Sequence, residues 1–501
     1  MLLEPELVEY IAAYIACPSA WLAFLSAMPR WSLRRPLQSL LRLYPSVLQR
    51  GPRLVLPKIS PDHVEDIRAA MPLYTIVELS DWSNVRHAIN VVVPSVDVEI
   101  ANVKSFDVLS TAMARWPLQL VACKVDIGPE VLFSSLDVAA ACAEMQRSCP
   151  RLASLDLCWQ RLMAPAEQDA LVACICASSQ LTHLRIASFM AIVLTDDNTC
   201  KLASWLERAR CVHTIAFESV AFSLQSESAV CHALRRHVPT LRSLKLAFTP
   251  SLARALLNGR QLPTSLPRLE IVGSIETVDI APSMAAMMAE SLAESHLTHC
   301  TLSSNHCLHN PSVAGLIFGA LPHMVYLRHL NLTYNGLDTV ACEVLATTLP
   351  KIQHLVSLNV ENNFLRDVGC AILATALPHC ASLQTLHLGH NFIGDVGVRA
   401  LCMAVRSSTS LTTLTLGGNE VTAVGAAQLA RLVQEAKCPT LTTLDVALNP
   451  HLQVDGVLRL LHGVHHSSVQ LTVSGLALPP RQLRKCVSLI EQLELPATLL
   501  T

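Results

Sequence analysis

Residue types able to bind metals or act as nucleophiles are plentiful in this chain, yet their spacing converges on no site. It holds 20 histidines and 18 cysteines in 501 residues. The densest histidine group is His462, His465 and His466, in which His462 and His466 stand four apart and share a helix face. No carboxylate or cysteine accompanies them at ligand spacing, so a solvated helix edge is expected there rather than a zinc site. The cysteines are scattered, form no CxxC, and approach most closely at Cys174 and Cys176. Many take positions that need a small apolar group, which reads as buried reduced thiols in a cytoplasmic or nuclear protein. A Gly-rich phosphate loop followed by Lys-Ser/Thr, a GxGxxG after a strand, HExxH and GxSxG are all missing. The expectation is a non-catalytic chain with no metal, no cofactor and no small-molecule substrate. Asn331-Leu332-Thr333 has the form of a glycosylation sequon but falls on an expected strand.

Composition narrows the partners. Hydrophobic residues make up 51% and charged residues 15%, so a packed core is expected rather than a disordered tail. A net charge of −2 gives no bulk attraction to phosphate backbones or anionic lipid, and nucleic-acid binding is not expected. Apolar stretches such as Ala170–Ala177 stop far short of the roughly 20 residues a membrane span needs. Glu4, Glu6 and Glu9 in MLLEPELVEY do not suit a secretory leader. A soluble, unsecreted chain is the reading.

One residue type does recur in register. Asn305, Asn335, Asn363, Asn391, Asn419 and Asn449 each stand ninth in a repeated unit. An asparagine carries amide donors and a carbonyl acceptor, so it can satisfy backbone groups left open where a strand turns off. The units LRHLNLTYNGL, LVSLNVENNFL, LQTLHLGHNFI and LTTLTLGGNEV start at Leu327, Leu355, Leu383 and Leu411, 28 residues apart. Others start at Leu441 and, going backwards, at Leu297, Leu266, Leu241, Val212, Leu181 and Leu152. A degraded unit follows near Val469, and LVACKV at Leu120 suggests weaker ones upstream. In LxxLxL the fourth and sixth positions point the same way on a short strand. A helical stretch follows, with Val368, Ile372, Leu373 and Leu377 as one apolar face and Pro350 and Pro378 closing two of the helices. Neither element buries its apolar face alone, so neighbouring units must supply the partner. Gly369, Gly397 and Gly425 mark close approach between helices. Position nine is Gln160, Phe189, Val220, Thr249 and Ser274 in the earlier units, which predicts altered turns there.

This unit resembles the leucine-rich repeats of the ribonuclease-inhibitor type, most clearly over 297–450 and less so over 152–296. The resemblance implies an α/β leucine-rich-repeat solenoid, a horseshoe with a parallel sheet inside and helices outside. It marks out less regular repeats at 152–296, regular repeats with the asparagine ladder at 297–468, and a degraded repeat or cap at 469–501. Residues 61–151, with LYTIVELS and INVVVP, read as irregular repeats.

Residues 1–60 lack the repeat. Leu7, Tyr10, Ile11, Tyr14 and Ile15 lie at helical spacing, as do Trp21, Leu22, Phe24, Leu25 and Met28, and then Leu33, Leu37, Leu40 and Leu41. Three short helices at the head of a repeat array resemble an F-box, with Trp31 near that family's usual tryptophan. The Leu-Pro opening is displaced here to Leu3-Glu4-Pro5. The resemblance implies docking of a Skp-family adaptor, and through it a cullin, by Leu7, Ile11, Ile15 and Leu22. A cap shielding the first repeats fits the same helices.

The remaining candidate site is the sheet face. Positions three, five, seven and eight are expected to face the concave side, where a protein partner would bind. That places Trp159, Arg185, Phe248, Tyr334, Asn359, Glu361, His387, His390 and Asp445 there as contacts, aromatic and Arg side chains being frequent interface anchors. The function implied is protein recognition, as substrate receptor of a cullin-type ubiquitin ligase. The alternative is regulation of a GTPase or other enzyme through the horseshoe, with the N-terminus only a cap.

Overall fold

The computed structural model describes residues 27–28, 33, 35–43, 53–56, 63–80, 92–128, 134–223, 225–236, 238–275, 280–434, 440–465, 467–475, 479–493 and 495. The adaptor-docking residues Leu7, Ile11, Ile15 and Leu22, and with them Trp31 and His466, lie outside the described residues. The chain divides into two compact units, Met1–Ser226 and Glu227–Thr501.

The first unit holds strands β1 (Arg53–Leu56), β2 (Ile76–Leu79), β3 (Asp97–Val103), β4 (Leu120–Ile127), β5 (Ser154–Trp159), β6 (His183–Val193) and β7 (Thr214–Ala221). Each pairs in parallel with its predecessor in sequence. Helices such as Ser135–Ser148 and Pro165–Ala177 make the return crossings that parallel strands require. The third helix expected near the N-terminus is present as Arg35–Leu43, with Leu33 and Leu37 buried.

The second unit continues the pattern with β8 (Ser243–Ala247), β9 (Arg268–Val272), β10 (His299–Ser303), β11 (His329–Asn331), β12 (Ser357–Asn359), β13 (Thr385–His387), β14 (Thr413–Thr415), β15 (Thr443–Asp445) and β16 (Gln470–Thr472). These also pair in parallel, in sequence order and in matched register, Leu330 against Leu358, Leu386 and Leu414 in turn. The repeated leucines are the core: Leu330, Leu332, Leu386 and Leu388 are buried. Leucine-rich-repeat solenoid is therefore the architecture, with one strand and one helix per unit.

One expectation about the helices needs correcting. On Arg366–Ala376 the buried stripe is Gly369, Cys370, Leu373 and Ala374, while Val368 is 60% exposed. Small residues set the inward face because the neighbouring helix is close: a Cβ on Gly369 would lie 3.1 Å from Cys342 Sγ. Pro350 and Pro378 sit just beyond their helices, in the single turns Leu349–Lys351 and Leu377–His379.

The asparagines bind each unit to the one before it. Asn305 N donates to Asn335 Oδ1 at 2.8 Å, Asn335 N to Asn363 Oδ1 at 2.9 Å, and Asn391 N to Asn419 Oδ1 at 2.9 Å. Their Nδ2 groups reach the preceding strand, Asn335 to Leu302 O, Asn363 to Leu332 O, Asn391 to Val360 O and Asn449 to Leu416 O. All six side chains are buried. Ser274 fills the same slot one unit earlier: its Oγ accepts from Thr249 N at 2.9 Å and lies 3.1 Å from Leu246 O. A second set of bridges joins the helix starts. Asp367 Oδ1 accepts from Gly394 N and Gly397 N, and Asp395 Oδ1 from Thr422 N and Gly425 N.

Cys300, Cys342 and Cys370 are buried, and burial pushes the Cys342 and Cys402 thiols up to about 12. Among the described cysteines, Cys200 and Cys211 are exposed. Limited iodoacetamide labelling of the native chain, read by peptide mass spectrometry, should modify those two well before Cys342, Cys370 or Cys402. Asn363 accepts from both Asn335 N and Leu337 N. Replacing it with alanine strands two buried donors and should lower the unfolding free energy by about 2–5 kcal/mol in urea titration.

Candidate functional site

The face of each unit is built by strand residues that alternate with the core leucines. In the first unit its centre is Arg185 on β6. Arg185 Nη1 donates to Asp156 Oδ1 at 2.7 Å, and Nε and Nη2 fork onto Glu218 at 3.0 Å each. The Glu218 hydrogen bond and the Asp156 carboxylate hold the guanidinium more firmly protonated against its partial burial. Arg185, expected as a partner anchor, is thus already engaged by two carboxylates of its own unit.

Trp159, the other anchor expected here, is a core residue with no exposed surface. The cause lies in the turn. Along β5 the buried positions are Leu155, Leu157 and Trp159, so simple alternation carries position eight inward. From Val212 onward position eight has positive φ instead: Ser219, Phe248, Gly273, Ser304, Tyr334, Asn362, His390, Gly418, Leu448 and Gly475. That left-handed residue ends the alternation and turns the side chain out. In the first unit Phe189 also departs from the repeat, since β6 runs on through a register shift between Ala187 and Ile192. Phe189 is 74% exposed on that irregularity.

In the second unit Phe248, Tyr334, His390 and Leu448 are all exposed at position eight. Three of these lie over a glycine at position eight of the next unit. A Cβ on Gly273 would meet Phe248 Cε1 at 2.3 Å, one on Gly418 would meet His390 Cε1 at 2.2 Å, and one on Gly475 would meet Leu448 Cδ2 at 2.2 Å. The large side chain is therefore held flat against bare backbone.

Between these anchors the face is polar. Thr415 Oγ1 donates to Glu361 Oε1 at 3.2 Å, His387 Nδ1 lies 3.1 Å from Thr415 Oγ1, and His387 and Glu361 approach to 3.9 Å. Three successive repeats thus place Glu361, His387 and Thr415 in one cluster. Asn359 and Asp445 brace their own strands, Asn359 Oδ1 accepting from Glu361 N at 2.9 Å and Asp445 Oδ1 from Ala447 N at 2.8 Å. Their outward surface is half-buried.

Further along the same face His299 and His329 stack with ring centroids 4.2 Å apart. Burial first, then His329 and Arg268, lowers His299 to about 4. A separate pair escaped the sequence reading. Phe364 and Phe392, at position ten of adjacent units, stack at 5.9 Å and are about half exposed. A phenylalanine at a variable position in two consecutive units was the signal for it. Among the described residues no group of three His, Cys, Asp or Glu could hold a metal ion, and no helix is long and apolar enough to cross a membrane.

The family model described as Leucine Rich repeat matches residues 323–346, 379–402, 407–430 and 437–461. No curated protein matches the chain. Among solved structures it is similar to leiomodin-1 actin-binding site 2 at 16% identity and a TM-score of 0.27, covering 31% of this chain and 88% of that one. It is also similar to an internalin from Listeria monocytogenes at 15% identity and a TM-score of 0.33, covering 65% and 81% respectively. Neither similarity bears on what the chain binds.

Gly418→Ala would force a Cβ into a backbone at φ +68° and into the His390 ring. It should cost at least about 1–2 kcal/mol in denaturant titration. Because His299 has a lower pKa folded than unfolded, the unfolded chain takes up the proton first. Stability should therefore fall as pH drops from the ordinary histidine value of about 6.5 towards 4, and flatten below. The slope of melting temperature against pH should be shallower in His299→Gln.

Proposed function

We propose that this leucine-rich-repeat chain is a non-catalytic recognition protein that holds a protein partner against the sheet face of its second unit. The observation that carries the reading is the set of large side chains at position eight, with Phe248, Tyr334 and Leu448 exposed by 54%, 57% and 51%. They are seated by left-handed backbone in a field of half-buried polar groups. Rigid aromatic anchors surrounded by small polar residues suit a protein surface, because little side-chain entropy is lost on contact. The polar cluster of Glu361, His387 and Thr415 would set orientation rather than carry the affinity. We extend this reading to a substrate receptor of a cullin-type ubiquitin ligase. There the helices expected within residues 1–60 would dock a Skp-family adaptor through Leu7, Ile11, Ile15 and Leu22.

Affinity purification from cells with quantitative mass spectrometry tests both levels. A Tyr334→Ala/His390→Ala chain should recover its main partner at least about tenfold less well than the unaltered chain. An unchanged partner set would overturn the sheet-face assignment. Removing residues 1–50 should abolish recovery of an adaptor and cullin while leaving the face-dependent partner in place. Failure of the full chain to recover an adaptor would leave recognition standing and remove the ligase role.

A further inference from the structure

We infer that a cavity lying away from the sheet-face anchors, in the second unit, binds a compact phosphate-bearing small molecule. The cavity encloses about 730 Å³ between helix Glu227–Arg236 and the segment that leads from helix Pro250–Leu256 towards β9. That volume falls within the range of small-molecule sites, about 300–1,000 Å³. Arg235, Arg236 and Arg260 line it together with His232, Asn258 and Gln261, and no lining residue is acidic. The lining thus carries three arginines and no carboxylate, while Glu227 acts on Cys231 from the same helix and Glu290 stands beside Gly259 just outside the lining.

One residue of the wall, Arg235, is fixed in place by the neighbouring helix end, while Arg236 and Arg260 are exposed. Arg235 Nη2 donates to Ala255 O and Asn258 Oδ1 at 2.8 Å each, and also to Leu256 O, which closes the end of the neighbouring helix. Its Nε is buried without a hydrogen-bond partner. Arg236 and Arg260 form no ion pair with any described residue. Burial lowers the Arg235 pKa, and Arg260 adds to that against the opposing effect of Cys231. Arg235 and Arg260 therefore repel one another, and a multiply charged anion between them would relieve the repulsion.

Guanidinium forks match phosphate oxygens in pairs, and neighbouring amides add neutral donors of the kind such sites use. No phenylalanine, tyrosine or tryptophan lines the cavity to stack on a base, which favours a compact phosphate compound over a nucleic-acid strand. This binding is independent of the sheet-face reading.

Isothermal titration calorimetry of the full chain with inorganic pyrophosphate tests it. One saturable site is expected, weakening as salt rises. Arg236→Gln and Arg260→Gln should each raise Kd at least about tenfold, as loss of a charge-assisted hydrogen bond does. Arg260→Lys keeps the charge but not the fork, and should fall between. It also serves as the deciding variant should a glutamine variant melt early. Absence of saturable binding, or equal affinity in all the folded variants, would overturn the assignment.

Discussion

A strand that leaves a parallel ladder after three residues exposes N–H and C=O groups inside the protein, and those groups must be satisfied there. From the repeat at Leu297 onward they are satisfied by asparagine side chains. Each amide oxygen receives a backbone N–H from the previous repeat, and each amide nitrogen returns a hydrogen to that repeat's strand. The same nitrogen also donates to its own repeat, as Asn363 does to Val360 O, so each amide ties two repeats together and no repeat completes its hydrogen bonding alone. Short strands, tight turns and close helices all depend on that exchange. The aspartates at the helix starts repeat the logic, since Asp367 and Asp395 serve the backbone of the following repeat.

In the repeats from Leu152 and Leu181, which lack the asparagine, the strands are longer. In the first unit β5 and β6 run to Trp159 and Val193, and pairing between strands takes over the satisfaction of the backbone. The face changes character accordingly. It carries an internal salt bridge at Arg185 rather than outward anchors, and its protruding apolar groups sit on an irregular strand end at Phe189. The second unit offers the opposite, with fixed large side chains above a polar field and a separate basic cavity among its helices. The change is stepwise: the left-handed residue at position eight begins at Ser219 in the first unit, and the asparagine at position nine only at Asn305 in the second.

Much of this was legible in the residues. Leucines at positions four and six, the asparagine at nine and the spacing of 28 residues each encode a contact that recurs, so repetition made them readable. The outward placement of Phe248, Tyr334, His390 and Leu448 followed from counting along the unit. Trp159 did not, because the inward or outward sense of position eight depends on a backbone torsion that the side chain alone does not reveal. The commitment of Arg185 was hidden for a related reason: its carboxylates, Asp156 and Glu218, are about 30 residues away on either side. The basic cavity joins residues from a helix and a connecting segment, which no periodic pattern marks. Val368 was misplaced because small residues, not large ones, face the next helix.

The seating of Phe248, His390 and Leu448 on glycines reaches beyond the face itself. Each large side chain occupies space that only a glycine in the following repeat leaves empty. Loss of the repeat from Leu411 alone would bring Leu448 next to His390 with no bare backbone between them. A repeat bearing glycine at position eight therefore travels with its predecessor. Over these stretches the structural module is a pair of repeats, since neither member alone reproduces the contact.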